Sequence, residues 1–388
     1  MEESKLKNLW DIIQVRVPEI WNSWYFQDVL VAALLIFLVW MGRRLSRQPY
    51  WRLAIREVRQ RRIAVWSFYV LCVYGLIALL DSVGWHPALR GEDGAVLRDT
   101  KNRVLYDRGG ITLLDALLTP LREAREKTYS APLAKILFST ETTVLPDGAM
   151  AQIHPPLQYP RRHLMGTDKV GNDVFYQSLK AIRTGMILGL FTTALAIPFA
   201  IFFGVVAGYF GGWIDDLIQY LYTTLASIPG VLLIAAFMMI FGRGLPQLCI
   251  IMGVTSWTEL CRVLRGETLK QREMEYVQSA EAMGAPALRI LRRHIVPNVL
   301  HIVLITVVLG FSGRVLSEAA LTYIGIGVGA ETYSWGRMIN QALRELARDP
   351  PIWWNLAAAF VFMLGLVLPA NIFGDALRDA LDPRLRTQ

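Results

Sequence analysis

The sequence predicts an all-α polytopic membrane protein of about seven transmembrane helices, with a sizeable external loop between the second and third. Three observations predict it. Of the 388 residues, 54% are hydrophobic and only 19% are charged, whereas a soluble domain carries roughly a quarter charged residues. The mean hydropathy is +0.36. Apolar runs recur at about the length that crosses a ~30 Å hydrocarbon core. The basic residues collect beside those runs. The net charge of +8 therefore reads as a topology signal facing anionic headgroups, and nucleic-acid binding is set aside. Cys72, Cys249 and Cys261 fall in or at the ends of predicted spans, which leaves no disulfide framework.

The elements follow in order. The first apolar run, Val29 to Gly42, is short. It needs Trp24, Tyr25 and Phe26 at the interface in order to span, and Asp28 sits near its start; a helix lying in the interface plane is the alternative. It is expected to be retained, because Arg43 and Arg44 follow it where a signal peptide would have a small-x-small cleavage site. Arg43 to Arg62 holds eight arginines and one glutamate, the strongest cytoplasmic marker in the chain. Residues 1–62 thus form an N-terminal extension, and residues 63–80 a second span.

Hydrophobicity collapses over residues 81–183, the expected external loop. A connection of that length is functional or has its own small fold. Within it, Leu113 to Thr128 is expected as an amphipathic helix with Leu114, Leu117, Leu118 and Leu121 on one face. His154 to Arg162, with Pro155, Pro156 and Pro160, is expected to be extended. Residues 184–388 hold five further spans, centred near 197, 230, 252, 304 and 362. The one around 230 runs from Asp215 to Phe241, and Pro229-Gly230 should kink it. Between the last two spans, Arg314 to Arg348 includes the run Ile324-Gly325-Ile326-Gly327-Val328-Gly329. That composition predicts irregular backbone buried in protein or lining a cavity, because lipid cannot satisfy its polar groups. The tail Gly374 to Gln388 is polar and basic.

Parity supports this order. With Arg43 to Arg62 in the cytoplasm, the loop at 262–294 and the C-terminus return to the same side, and both are basic. Arg161, Arg162, Lys169, Lys180 and Arg183 fall outside, and Asp215 and Asp216 inside, against the usual bias. The bias counts less in long translocated loops.

The stretch Glu275 to Asn298 is the one a simple membrane span would not need. Thr268 to Ala282 contains good helix formers, Gly284 can take a left-handed cap, and Pro286 suits the first turn of a new helix. Helix, glycine turn, helix is an arm another protein can grip, although a connecting hairpin has the same grammar. The stretch resembles the docking loop of the membrane subunits of ATP-binding-cassette importers. Ala280, Gly284 and Pro297 match that pattern, with Tyr276, Met283 and Arg289 in the same segment. Gln278 stands where the family usually has Glu, Ser279 where it has Ala, and Val296 where it has Leu.

Three further segments resemble the dipeptide, oligopeptide and nickel permeases within those importers. One is Gly166-Thr167-Asp168-Lys169-Val170-Gly171-Asn172-Asp173, with Asn172 replacing the usual Arg. Another is Leu321 to Val328, carrying Gly325 and Gly327, followed by Ser334-Trp335-Gly336. The last is Asn371 to Arg384, carrying Gly374, Asp375, Arg378, Asp379, Asp382 and Pro383. The resemblance covers about residues 160–388 and points to the second of two permease subunits. It implies a six-helix importer-type core to which the N-terminal span is an addition, in a bacterial cytoplasmic (inner) membrane. It also implies a homologous permease partner, two cytoplasmic ATPase subunits and an extracytoplasmic substrate-binding protein. ATP and Mg would be bound by the ATPases, with no cofactor in this chain.

Arg314 and Glu318 lie four apart on a predicted helix and are expected to pair; Glu259, near Trp257 and Arg262, raises the same question. His86, His154 and His163 show no metal-binding spacing. There is no G-x-x-x-x-G-K-[ST] phosphate loop, no H-E-x-x-H, and no serine or cysteine nucleophile motif. Catalysis in this chain is therefore not expected, and the resemblance implies a permease for peptides, with nickel or another small solute as alternative cargo. A stand-alone membrane enzyme or channel is the alternative from another class.

Overall fold

Prolines and glycines divide the chain into long helices. The computed structural model describes residues 49–86, 96–98, 110–144 and 150–381, together with Arg43. The expected span at Val29 to Gly42 lies outside the described residues, as do Asp382 and Pro383. The helices are α1 (Pro49–Gln60), α2 (Arg62–Ser82), α3 (Leu113–Leu117), α4 (Thr119–Glu123), α5 (Val174–Phe210), α6 (Gly212–Ser227) and α7 (Gly230–Phe241). They continue with α8 (Leu245–Arg272), α9 (Glu275–Ala282), α10 (Ala287–Ile290), a π turn (Leu291–Ile295), α11 (Val296–Tyr323), α12 (Trp335–Leu346) and α13 (Trp354–Leu381).

Among the described residues, four helical stretches are long and apolar enough to cross a membrane: Arg62–Ser82, Val174–Phe210, Ala287–Tyr323 and Trp354–Leu381. The bent pair α6 and α7 makes a fifth if it is one span. The expected kink at Pro229-Gly230 is a full break of 82°. Ile228, preceding the proline, is extended at φ −83 and ψ 127, since proline clashes with helical backbone at the residue before it. The span expected near residue 252 is the 28-residue α8. Its C-terminal half carries Glu259, Arg262, Arg265, Glu267, Lys270 and Arg272, so it does not join that set.

The described residues divide into two compact units, one drawn from 72–183 and 341–362, the other from 52–71, 184–340 and 363–381. The first contains two short antiparallel pairs that an all-α expectation omits: β1 (Gly84–Trp85) with β2 (Ile111–Thr112), and β3 (Glu141–Val144) with β4 (Met150–Ile153). The helix expected over Leu113 to Thr128 is two single turns, because Pro120 supplies no N–H and a new helix restarts around it. Leu114 is buried and Leu117 lies open. Thr112 caps α3 in a reciprocal capping box with Asp115. Leu137, Val174, Ile182, Ile352 and Trp354 are among the unit's buried side chains.

Two apolar clusters lie in the second unit among its described residues. One gathers Tyr209, Tyr222, Trp257, Leu264, Val277, Ile290 and Ile295. The other gathers Leu188, Ile234, Leu248, Ile251 and Leu321. In the first, α5 lies close on α8 through Gly204 and Gly208. A Cβ at Gly204 would stand 2.8 Å from the Cys261 carbonyl oxygen, and one at Gly208 2.7 Å from that of Arg265. Glycines four apart let two backbones approach where side chains would hold them off.

Candidate functional site

The arm is built from a short helix, a glycine closure and a second helix that merges into α11. Helix α9 ends in a Schellman motif: the Gly284 amide donates to the Glu281 carbonyl at 2.9 Å and the Ala285 amide to the Ala280 carbonyl at 3.1 Å. Gly284 sits at φ +77, the conformation this closure demands and L side chains resist. Pro286 is the N-cap of α10, one position before the first turn expected from sequence. The following π turn carries the chain into α11.

The two faces of the arm differ. Val277, Ala280, Ile290, Leu291 and Ile295 belong to the first apolar cluster. Burying a side chain such as Val277 or Ile290 contributes roughly 1.5–3 kcal/mol each. Met283 and Leu288 point away, 81% and 66% exposed. Tyr276, Gln278, Ser279, Gly284, Arg289 and Pro297 are also exposed. Of the site residues expected from sequence, only Ala280 faces inward. The Tyr276 hydroxyl donates to Gln271 and accepts from Asn298 Nδ2 at 3.0 Å. Gln278, in place of the family's Glu, donates to the Glu273 carbonyl at 3.3 Å.

Polar contacts the sequence reading missed anchor this arm. The Tyr209 hydroxyl donates to Glu281 Oε1 at 2.8 Å, and Arg272 Nη1 donates to the Tyr209 carbonyl at 3.1 Å. Asp215 and Arg265 form a two-pronged pair at 2.5 and 2.6 Å. Asp215, which went against the charge bias, is thus matched by an arginine.

The segment from Gly166 to Asp173 is a clasp whose signature residues each have a structural task. Thr167 Oγ1 accepts from the Ser130 amide at 2.7 Å and donates to the Thr128 carbonyl at 2.8 Å. Asp168 accepts from the amides of Val170 and Asn172, both at 2.9 Å, and from Gln177 Nε2 at 2.9 Å. Asp173 caps α5 by accepting from the Tyr176 amide at 2.8 Å, and its other oxygen meets His163 Nδ1 at 2.8 Å. Gly166 and Gly171 have φ +72 and +78, and a Cβ at either would meet backbone, 2.4 Å from the Ser130 oxygen or 1.7 Å from the Glu126 oxygen.

Lys180, a second misfit with the charge bias, is paired in the same unit. Its Nζ lies 2.5 Å from Asp81 Oδ1 and 2.9 Å from Asp115 Oδ1. The Tyr176 hydroxyl donates to Asp115 at 2.6 Å. Burial acts to raise the Asp115 pKa, but the Tyr176 hydrogen bond, the Lys180 charge and the Thr112 amide outweigh it, so the carboxyl is held below its usual range. A depressed carboxyl contributes stability above the unfolded pKa of about 3.9, which is lost as pH falls through the folded value. Asp115→Asn is therefore expected to be less stable than wild type at neutral pH, by about 1.5–3 kcal/mol. That gap should close below about pH 4, which thermal unfolding of the solubilised protein across pH will show. Burial, then the Glu345 charge and hydrogen bond, push the Tyr129 hydroxyl up to about 12, so it remains a neutral donor to Glu345.

The second signature is also architectural. Helix α11 ends in another Schellman closure: Gly325, at φ +86, donates to the Thr322 carbonyl and Ile326 to that of Leu321. The irregular stretch runs only from Ile324 to Ser334, since residues 314–323 are helix. A Cβ at Gly327 would lie 2.7 Å from Thr322 Cα, and one at Gly336 2.4 Å from the Ala319 oxygen. Trp335 is fully buried, and Ser334 caps α12 by accepting from the Arg337 amide at 3.2 Å.

Arg314 and Glu318 do not pair. Glu318 is buried and accepts from Thr322 Oγ1 at 2.9 Å, with Ser334 also bonded to it. Thr322 offers Glu318 the same four-residue spacing as Arg314 does, in the opposite direction. In the third signature, Gly374 lies against Leu309 and Val308, and Asp379 meets Arg61 at 2.6 Å. Asp375 and Arg378 lie on α13. Among the described residues no three His, Cys, Asp or Glu converge as a metal site.

Residues 200–387 match the family described as binding-protein-dependent transport system inner membrane component. The chain is 33% identical to the oligopeptide transport system permease protein OppC of Bacillus subtilis, over 58% of this chain and 72% of that one. It is 33% identical to the dipeptide transport system permease protein DppC of Alkalihalophilus pseudofirmus, over 65% and 83%. Against the glutathione transport system permease protein GsiD of Pectobacterium atrosepticum it is 32% identical, over 58% and 74%. A solved inward-facing structure of the MetNI methionine ABC transporter aligns with a TM-score of 0.45 at 15% identity, over 53% of this chain and 97% of that one. With relatives matched over more than two thirds of their length, the chain belongs to the family of binding-protein-dependent transport system inner membrane components, as a multi-pass permease.

Proposed function

We propose that this permease forms half of a translocation pathway for peptides in an ATP-driven importer of the bacterial cytoplasmic membrane. A homologous permease supplies the other half, and two cytoplasmic ATPases bind and hydrolyse ATP with Mg. An extracytoplasmic binding protein delivers cargo. The observation that carries this reading is the arm from Glu275 to Ile295, held inward by Val277, Ala280 and Ile290 and presenting Met283 and Leu288 outward. An apolar tip on a rigid, glycine-closed turn suits a pocket in a partner protein. The Tyr209–Glu281 contact ties it to α5, and the Asp215–Arg265 pair ties α6 to α8, so a pull on the arm is passed to α5.

The mechanism is a two-state tilt between inward-open and outward-open bundles, biased by the ATPases through this arm. Carrying such an equilibrium from 1:99 to 99:1 takes about 5.5 kcal/mol of differential binding. Peptide as cargo rests on relatives whose names specify oligopeptide, dipeptide and glutathione transport.

The test is co-purification. Tagged in its own membrane and extracted in mild detergent, the chain is expected to bring down a nucleotide-hydrolysing subunit whose activity rises when loaded binding protein is added. Recovery of the chain alone, with an activity of its own, would favour a free-standing enzyme or channel.

A further inference from the structure

Two charges within the second unit have no task in the docking arm or the signature clasps. Glu259 is exposed, thirteen residues before the end of α8 at Arg272. Arg314 lies on α11, nine residues before its end at Tyr323. Its Nε and Nη1 are shielded from solvent and have no hydrogen-bond partner among the described residues. Glu318 is committed to Thr322. Glu259 and Arg314 lie on two helices, α8 and α11, that pack together through both apolar clusters, and among the described residues no hydrogen bond joins Arg314 Nε or Nη1 to Glu259.

The surroundings suit a ligand that is held briefly. A Cβ at Gly310 would lie 2.4 Å from Arg314 Nη1, so the absence of a side chain there lets the guanidinium rest against α11. At Gly313 a Cβ would meet nothing within 4 Å. Thr255 and Ser317 donate to their own helix carbonyls, each at 2.8 Å, so they leave the surface polar without binding strongly. A charge facing lipid and an unmade hydrogen bond on a buried donor are both unfavourable, so Arg314 calls for a carboxylate, and the exposed Glu259 for a cation, from outside the described residues. The complementary ligand offers a carboxylate to one and an ammonium to the other.

Resting on the peptide-import reading above, we propose that Arg314 and Glu259 form a transient subsite for a zwitterionic peptide. The Arg314 guanidinium receives the terminal carboxylate and Glu259 receives an ammonium. The planar fork of arginine fits a carboxylate by two parallel hydrogen bonds, and among the described residues no carboxylate bonds its Nε or Nη1.

The experiment uses the assembled transporter in proteoliposomes with its binding protein at saturation. Initial uptake of trialanine is compared with uptake of its C-terminal amide, which retains the ammonium. The binding protein is the same in every sample, so any change in preference between wild type and variant arises in the permease. Arg314→Gln is expected to lower trialanine uptake about tenfold, equivalent to 1.4 kcal/mol, and to change amide uptake less than about twofold. Arg314→Lys, which keeps the charge and loses the fork, serves if the glutamine variant does not assemble, and is expected to weaken the preference in the same direction. Glu259→Gln should narrow the preference for trialanine over N-acetyl-trialanine. Equal loss for trialanine and its amide would overturn the subsite and assign Arg314 to a pair with the partner permease. Unchanged preference would overturn it as well. If the wild-type transporter moves neither peptide, the peptide reading itself fails, and the subsite with it.

Discussion

Gly284→Leu is expected to leave the chain inserted in the membrane and to cut substrate-stimulated ATP hydrolysis by the assembled transporter at least about tenfold, a change of 1.4 kcal/mol in coupling. The reasoning has two parts. Gly284 sits at φ +77, where an L residue costs about 1–2 kcal/mol. A side chain added there meets nothing of the chain within 4 Å, so the fold absorbs that strain and insertion survives. The leucine instead projects beside Met283 and Leu288, where the ATPase is proposed to sit. Gly284→Asn is the comparison, since asparagine tolerates the left-handed conformation and adds a small polar group; it should retain intermediate stimulation. Hydrolysis with and without loaded binding protein, alongside the amount of chain in the membrane fraction, measures both. Wild-type stimulation in the leucine variant would remove the docking role.

Gly171→Ala should do the opposite, breaking the fold before any coupling can be assayed. An added methyl would lie 1.7 Å from the Glu126 carbonyl oxygen and 2.4 Å from its carbon, at φ +78. Both obstacles are backbone, so no rotamer change relieves them. Left-handed strain of about 1–2 kcal/mol adds to an overpacking cost of about 1–3 kcal/mol. Gly212→Ala provides the control: it has φ +55 and nothing within 4 Å of the new methyl, and should cost only the strain. Unfolding temperatures of the two solubilised variants are expected to separate clearly, with Gly171→Ala much the lower; equal temperatures would show that the clasp yields more readily than its geometry implies.

Helix boundaries were legible wherever proline or glycine sets them. The break at Pro229 and the cap at Gly284 follow from local backbone preference, which a sequence displays directly. What proline would do in sum was harder to read. Pro120 splits a leucine-patterned stretch into two turns, and Pro229 produces an 82° bend where a kink was expected. The strand pairs were not legible, because two to four residues are too few to show alternation. The clasp at Gly166 to Asp173 could be recognised by resemblance but not explained, since the atoms that exclude a side chain at Gly171 belong to Glu126. Gly204 and Gly208 were overlooked, although their spacing is a known signal of close helix packing. The Arg314–Glu318 pairing was a spacing argument, and spacing admits two partners for Glu318; the hydroxyl of Thr322 holds that place. Lys180 and Asp215 looked like misfits because partners distant in sequence balance them.

The π turn at Leu291–Ile295 sets the azimuth of the arm. A turn of that kind accommodates one residue more than an α-turn does, and in an α-helix one residue subtends about 100°. The stretch from Ala287 to Tyr323 is 37 residues long, so it behaves as a spindle whose handle is mounted at an angle fixed by a single surplus amino acid. Related chains that keep every contact-making side chain but lack that extra residue would aim Met283 at a different quadrant, so under the proposed docking the match between a permease and its motor is set by counting as well as by chemistry.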